Sequence, residues 1–241
     1  MYIRKNLNVV IPMAGAGSRF AEKGFTVPKP LITFRGKTMI EHVVDNLNID
    51  AKYTFIVQQE HLDKFDAGRI LRNIVPNCNI VPLSGVTDGA ARSLLQAKDI
   101  INNIDPLFIV NSDNLIEWGN IGIMKSFEDK DGGIILIKAD GPKWSYAATD
   151  ENDFATEIAE KIQISTNATT RHYYWRKGSD FLKCAEEMIR RDIRFNNEFY
   201  IAPVYNIGIE NGLKIYTRHA QKFWSVGTPE DLDYYLANFN E

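Results

Sequence analysis

The sequence predicts an α/β fold: a three-layer α/β/α arrangement on a mainly parallel central sheet, with a smaller β-rich half after it. Three observations predict this. Short apolar runs rich in β-branched residues alternate with amphipathic helical stretches through about residue 115, as strands joined by crossover helices do. The first run, 7–13, breaks directly into a loop of small residues, Ala14-Gly15-Ala16-Gly17-Ser18. Beyond about residue 116 the pattern changes to short strands with polar connections, interrupted by two helices. At 241 residues the chain can bury one large core. A single domain, 1–241, divided into halves of about 1–115 and about 116–241, is the simplest organisation.

Taken in order, 7–13 has the length and composition of a buried strand. After the small-residue loop, 31–34 reads as a short strand turned by Arg35-Gly36-Lys37. Thr38 reads as an N-cap with Glu41 at the capping-box position, and Met39, Ile40, Val43, Val44 and Leu47 give a helical apolar face. A strand at 53–58 precedes a polar segment, 59–64. A helix over 67–75 is ended by Pro76, and a strand at 79–83 leads into the loop 84–89. Residues 90–101 read as one helix, and 107–110 as an apolar strand ending in Asn111-Ser112-Asp113-Asn114. In the second half, strands are expected at 132–139, 144–149, 156–162, 172–175 and 214–219, with helices at 178–191 and about 202–210. Thr228 caps a last helix, with Pro229 at its first position, running to about residue 239. No linker, repeat or low-complexity segment interrupts the chain.

The net charge is −3, which argues against a general nucleic-acid-binding surface and leaves room for a local basic pocket. Cys78 and Cys184 lie far apart and match no metal-ligand spacing, and His42, His61, His172 and His219 are scattered. The cysteines read as unpaired thiols of a reducing compartment, and a cytoplasmic location follows. Arg4, Lys5 and Ala14-Gly15-Ala16 mimic parts of a signal peptide, but the apolar run between them is short and contains Pro12. No stretch approaches the ~20 apolar residues that span a membrane, so no membrane partner is expected.

Ligands of parallel sheets bind at the carboxyl ends of the strands. The small-residue loop, the Asp88-Gly89 loop and Asp113 all sit at expected strand ends, so they should converge on one crevice. The loop residues let phosphate oxygens approach the backbone closely. Arg19 follows at once, and Lys29 comes ten residues later, held between Pro28 and Pro30. A small-residue loop with a guanidinium and an ammonium suits a triphosphate. A dinucleotide fingerprint would need a small residue where Phe20 stands and an acidic residue ending the second strand, and Glu60 comes too late. A kinase-type phosphate loop needs Gly-Lys-Ser/Thr directly after the small-residue loop, and none follows it there. Asp113, a strand-end aspartate among small polar residues, suits a hard cation such as Mg²⁺; a loop-capping role is its ordinary alternative.

The run Gly15-x-Gly17-Ser18-Arg19-Phe20, a spacer, then Pro28-Lys29-Pro30-Leu31 resembles the signature of nucleotidyltransferases that activate sugar phosphates with a nucleoside triphosphate. Asp88-Gly89-Ala90-Ala91, Ser112-Asp113-Asn114, Glu160-Lys161, Glu198 and Gly227-Thr228-Pro229-Glu230 follow in the order seen in that family, with the glucose-1-phosphate thymidylyltransferases the clearest comparison. The resemblance covers nearly the whole chain, although only the opening motif is highly specific. It implies a GT-A-like, Rossmann-like fold, Mg²⁺ as cofactor, and an acceptor that is a phosphorylated small molecule, foremost a sugar 1-phosphate. It also implies a place in polysaccharide biosynthesis and leaves a homo-oligomer open. By position, Arg19, Lys29 and Asp113 would be catalytic, with Asp113 the metal ligand. Ala14, Gly15, Ala16, Gly17 and Ser18 would hold the nucleotide, and Ser84, Asp88 and Gly89 would read its base. Glu160, Lys161, Arg171 and Glu198 would meet the acceptor; the ordinary alternative for Glu160-Lys161 is an exposed ion pair, and Glu198 could equally be a solvated surface residue. Trp144, Tyr146, Tyr173, Tyr174 and Trp175 could form an acceptor-stacking wall, but such aromatics more often alternate between core and surface and are left out of the site.

Two departures stand out. The compared enzymes usually carry an aspartate two residues before the late Gly-Thr-Pro, as a second metal ligand; here that position is Ser225. They also have a glycine near the acceptor where this chain places Arg171, and an arginine there could block a hexose or bind another anionic group. Rival readings are a cytidylyltransferase acting on a phosphorylated alcohol or amine, a GT-A glycosyltransferase, and a nucleotide-binding regulatory protein without turnover. A glycosyltransferase has no reason to keep Arg19 together with Lys29.

Overall fold

Leu7, Val9 and Ile11 point to one face of the first strand and Val10 to the other, and all four are fully buried. A strand apolar on both faces needs a covering layer on each side. The computed structural model, which describes residues 1–239, supplies both. On one face the sheet meets helices Met39–Leu47, Ala67–Ile74, Asn120–Phe127 and Pro229–Asn238. On the other it meets Ala90–Leu95, Gly178–Arg190 and Val204–Glu210. The three-layer expectation is met.

The first-half strands are β1 (Tyr2–Pro12), β2 (Thr33–Phe34), β3 (Lys37–Thr38), β4 (Ile49–Gln58), β5 (Asn79–Leu83) and β6 (Leu107–Val110). The rest are β7 (Asn114–Glu117), β8 (Gly132–Lys138), β9 (Ser145–Thr149), β10 (Ala155–Glu160) and β11 (Asn167–Trp175). The last two are β12 (Ile215–His219) and β13 (Lys222–Ser225). The main sheet runs β10-β9-β11-β6-β1-β4-β5, with β8 joined to β11 and β12 to β8. The first-half strands β5, β4, β1 and β6 are all parallel; β11 enters antiparallel to β6 and brings the second half into the same sheet.

Several elements differ from the sequence reading. Residues 59–64 belong to a helix, Gln59–Phe65, whose inward face is only His61, Leu62 and Phe65; its polar majority hides the period. The helix expected over 90–101 is two, Ala90–Leu95 and Lys98–Ile101, because Gln96 and Ala97 donate to the carbonyls three residues back and close the turn. The strand at 31–34 starts as a 3₁₀ turn, Lys29–Leu31, before β2 pairs with β3 across Arg35 and Gly36, both at positive φ. The sequence reading assigned neither β7 nor the helix Asn120–Phe127. β7 pairs with β13 and sets Ser225 opposite Asn114, beside Asp113. Thr228 caps the last helix as expected, its side chain accepting from the Asp231 N–H.

Candidate active site

In the parallel pair β1 and β6, Val10 lies opposite Ile109, so the loop after β1 and residues 111–113 leave the sheet side by side. They form one wall of a cleft of about 610 Å³. The opposite wall comes from the second half. Glu160 ends β10 opposite Ser145 of β9. Arg171 sits where the pairing of β11 with β8 breaks, between Thr169 and Tyr173. The chain from Glu198 to Ala202 closes the side, tied to the Asp88 loop by bonds from Phe199 N to Asp88 O (2.8 Å) and from Ala91 N to Phe199 O (3.0 Å).

The cleft brings together Arg19, Lys29, Asp113, Glu160, Lys161, Arg171 and Glu198, together with Ala16, Gly17 and Ser18. Ala14, Gly15, Ser84, Asp88 and Gly89 are not in its lining. Ala14 is buried in the core on the Ala90–Leu95 side. Asp88 forms an ion pair with Arg92 at 2.5 Å. Gly89, at φ 129, has a packing reason: an added Cβ would stand 2.4 Å from the backbone N and O of Phe199. It lets residues 198–202 lie against the loop. Gly17, at φ 63, does similar work against Lys29, whose Cβ would lie 3.2 Å from a Cβ added at Gly17.

Asp113 holds the centre. Its Oδ2 accepts from Lys29 Nζ at 2.6 Å, and its Oδ1 is buried with no partner among the described residues. Burial works to raise this carboxyl, but the Lys29 ammonium and then the Arg171 guanidinium outweigh it and hold the group below its ordinary range. Gly227 approaches so closely that an added Cβ would meet Asp113 Oδ2 at 2.7 Å. Val226 N donates to the Asp113 carbonyl at 2.9 Å, fixing this backbone contact.

Ser225 Oγ does not face the cleft alone: it donates to Asp231 Oδ2 at 2.7 Å, and both residues line the cleft. Asp231 is a second carboxylate that the sequence reading did not find; its spacing from Thr228 signals only a capping box. Among the described residues no group of three or more His, Cys, Asp or Glu side chains is placed to hold a metal. The donor set suits a hard cation that keeps waters and takes substrate oxygens, because Asp113 offers one orphaned buried oxygen and no soft ligand accompanies it.

At the other end, Glu160 is buried and accepts from Ser145 Oγ, and burial raises its carboxyl above the ordinary range despite that bond. Lys161, at φ 57, donates to Tyr200 Oη at 2.6 Å and lies 4.6 Å from the centre of that ring. Burial pushes the Tyr173 hydroxyl up to about 12. Trp144 and Tyr173 also line the cleft, whereas Tyr146, Tyr174 and Trp175 are wholly core. Asn111, Lys143, Tyr200 and Phe223 are further lining residues with no motif to announce them.

No helix among the described residues is long and apolar enough to cross a membrane. A family described as "Nucleotidyl transferase" matches residues 8–236. The mannose-1-phosphate guanylyltransferase catalytic subunit beta of Danio rerio is 24% identical over 236 residues, covering 93% of this chain and 62% of that protein. The chain thus spans under two thirds of that relative's length. The nucleoside-diphosphate-sugar pyrophosphorylase of Vibrio cholerae RC9 superposes with a TM-score of 0.82 at 24% identity, covering 95% of this chain and all of that one. The inositol-1-phosphate CTP transferase of T. maritima superposes with a TM-score of 0.73 at 16% identity, covering 93% and 90%. These structures share the fold, and the match over 8–236 runs from the first strand through both walls of the cleft to the last helix. The chain belongs to the nucleotidyl transferase family.

Proposed function

We propose that the protein transfers a nucleoside monophosphate group from a nucleoside triphosphate to a sugar 1-phosphate, forming a nucleotide sugar. An oxygen of the acceptor phosphate attacks the α-phosphorus. The bond from that phosphorus to the α–β bridging oxygen breaks, and the electron pair leaves with pyrophosphate. The attacking phosphate is already anionic, so no general base is needed and the protein positions and neutralises. The observation that carries this reading is one cleft that gathers Arg19, Lys29 and Asp113 from the first half and Glu160, Lys161, Arg171 and Glu198 from the second.

Arg19 clamps the β- and γ-phosphates, and Lys29 serves the α-phosphate. Gly17 and its neighbours Ala16 and Ser18 leave room for the chain of phosphates. Lys161 receives the acceptor phosphate, and Glu198 a hydroxyl. Asp113 would hold Mg²⁺ through its free oxygen, with triphosphate oxygens and waters as the remaining ligands. Bound there, the ion would offset charge on the triphosphate and its leaving group. The unpaired thiols of Cys78 and Cys184 suit a reducing cytoplasm, and nucleotide sugars feed polysaccharide synthesis.

A second reading, cytidylyl transfer to a phosphorylated alcohol, draws support from the fold shared with the T. maritima CTP transferase. Pyrophosphate release decides between them. Each of the four triphosphates is incubated with Mg²⁺ and a panel of hexose 1-phosphates, hexuronate 1-phosphates and phosphorylated alcohols. Release that depends on a sugar 1-phosphate, and falls about 10²–10³-fold in Arg19→Ala, is expected. Release only with phosphorylated alcohols selects the second reading, and none with any pair refutes both.

A further inference from the structure

Arg171 is a cleft cation that the proposed transfer leaves without a defined partner, as it does Lys143, whose ammonium packs over the Trp144 ring. It stands at φ 62, in the left-handed region that an L-residue rarely occupies, at the break in pairing between β11 and β8. Backbone strain of this kind persists where the surroundings hold a side chain for use. The guanidinium lines the cleft. Among the described residues it makes one long hydrogen bond, to the Lys143 carbonyl at 3.4 Å, and no ion pair. Lys29, by contrast, is paired with Asp113, and Lys161 is held by Tyr200. Most of the five donors of Arg171 therefore remain free in a fixed planar fork, which matches the two oxygens of one anionic group.

Its surroundings restrict that anion. Asp113 and Glu160 line the same cleft, and the Arg171 charge acts to lower both carboxyl groups. In the proposed transfer Arg19, Lys29 and Lys161 already serve the phosphates, and the planar fork left on Arg171 matches the two coplanar oxygens of a carboxylate. We infer that Arg171 binds a carboxylate carried by the acceptor in addition to its reacting phosphate. The acceptor class is then a phosphorylated carboxylic acid and, within the sugar 1-phosphate reading on which this rests, a hexuronic acid 1-phosphate. Lys161 serves the reacting phosphate; Arg171 selects for the second anion.

The test compares acceptors that differ at one carbon: glucose 1-phosphate, glucuronate 1-phosphate and glucose 1,6-bisphosphate, with the galactose and mannose counterparts of the first two. Steady-state pyrophosphate release is measured for the wild type and for Arg171→Gly, a variant whose glycine takes φ 62 without strain and so keeps the fold. In the wild type, kcat/KM for a hexuronate should exceed that for the matched hexose by about 10- to 100-fold, the range for a hydrogen-bonded charge. Arg171→Gly should lose that preference. An equal fall for both acceptors would show that the guanidinium serves the reacting phosphate and overturn the inference. Preference of the wild type for the neutral hexose, or for the bisphosphate over the uronate, would overturn it too. If no sugar phosphate is turned over, the sugar 1-phosphate reading fails by itself. Calorimetry with 3-phosphoglycerate and glycerol 3-phosphate then decides the inference: tighter binding of the carboxylated probe, lost in Arg171→Gly, upholds it, and equal binding refutes it.

Discussion

At Asp113 a single carboxylate is divided between two duties: one oxygen neutralises Lys29, and the other is buried without a partner among the described residues. A buried acceptor with nothing to accept is unfavourable in a closed protein and useful where a cation or a metal-bound water arrives with the substrate. Mg²⁺ tolerates one or two carboxylates when phosphate oxygens complete its shell. Asp113→Asn should therefore lower turnover by at least about 10²-fold, the scale for losing a charge-stabilising group. Ser225→Ala should have a small effect, because the hydroxyl is neutral and already engaged with Asp231. Titration calorimetry of Mg²⁺ with and without triphosphate is the second readout. Weak binding to the bare protein and strong binding with nucleotide are expected. Tight binding without nucleotide, lost in Asp231→Asn, would instead identify Asp231 as a resident ligand. The sequence revealed Asp113 and Lys29 as separate chemical groups because each sits in a recognisable local motif. It could not show their 2.6 Å contact, nor the Ser225–Asp231 pair, because each depends on how the chain folds back.

Among the secondary-structure elements, those visible in sequence have a burial period on one face, as a helix does, or a continuous apolar run, as a strand buried on both faces does. Helix Met39–Leu47 and strands β1, β4 and β6 are of this kind. Helix Gln59–Phe65 and strand β7 lack it: the first buries too little, and the second is defined by its partner β13. Strand β11 carries a cost that no periodicity shows. His172 lies within it, fully buried between Phe108 and Trp118, with Nδ1 against the Thr170 carbonyl at 2.9 Å and Nε2 without a partner among the described residues. Burial lowers its pKa from 6.5 to about 4. The unfolded chain takes up a proton below pH 6.5, whereas the folded one resists until about 4. This contribution to stability is therefore whole above pH 6.5 and is lost as pH falls towards 4, by on the order of 3 kcal/mol when complete. Urea midpoints at pH 7 and pH 5 should differ less in His172→Phe than in the wild type; equal differences would exclude His172 as the source. The loop before Ala90–Leu95 has a steric limit instead. Gly89→Ala places a methyl group 2.4 Å from the Phe199 backbone at a φ that alanine avoids, so a loss of about 1–3 kcal/mol is expected, read as a lower unfolding midpoint. An unchanged midpoint would mean that residues 198–202 are free to move away.

For the whole molecule, one sheet joins two kinds of strand, and the cleft is lined from both sides of that junction. The parallel strands β1 and β6 deliver the small-residue loop and Asp113 at their carboxyl ends, whereas β9, β10 and β11 run antiparallel and carry Glu160, Lys161 and Arg171 on or just beyond them. The alternating first half was legible in sequence. The insertion of β11 beside β6 was not, because it is a pairing between residues more than 60 positions apart, such as His172 and Val110. That pairing brings residues of the two halves into one cleft, and the proposed in-line attack on the α-phosphorus needs both substrates there. The two substrates should therefore respond separately to mutation in the two halves. Lys161 turns out of β10 at φ 57, and Tyr200 positions its ammonium by a hydrogen bond and by its ring. Removing a charged hydrogen-bond donor to phosphate is worth about 1.5–3 kcal/mol, roughly 10- to 100-fold in affinity. In Lys161→Ala the KM for the phosphorylated acceptor should rise by that factor, while the KM for the triphosphate moves by less than about threefold. Arg19→Ala should show the reverse asymmetry. Initial rates across a grid of both substrates give the two constants independently. An equal rise in both, or a larger rise for the triphosphate in Lys161→Ala, would mean that the ammonium reaches across to the nucleotide and that the cleft has one shared anion site.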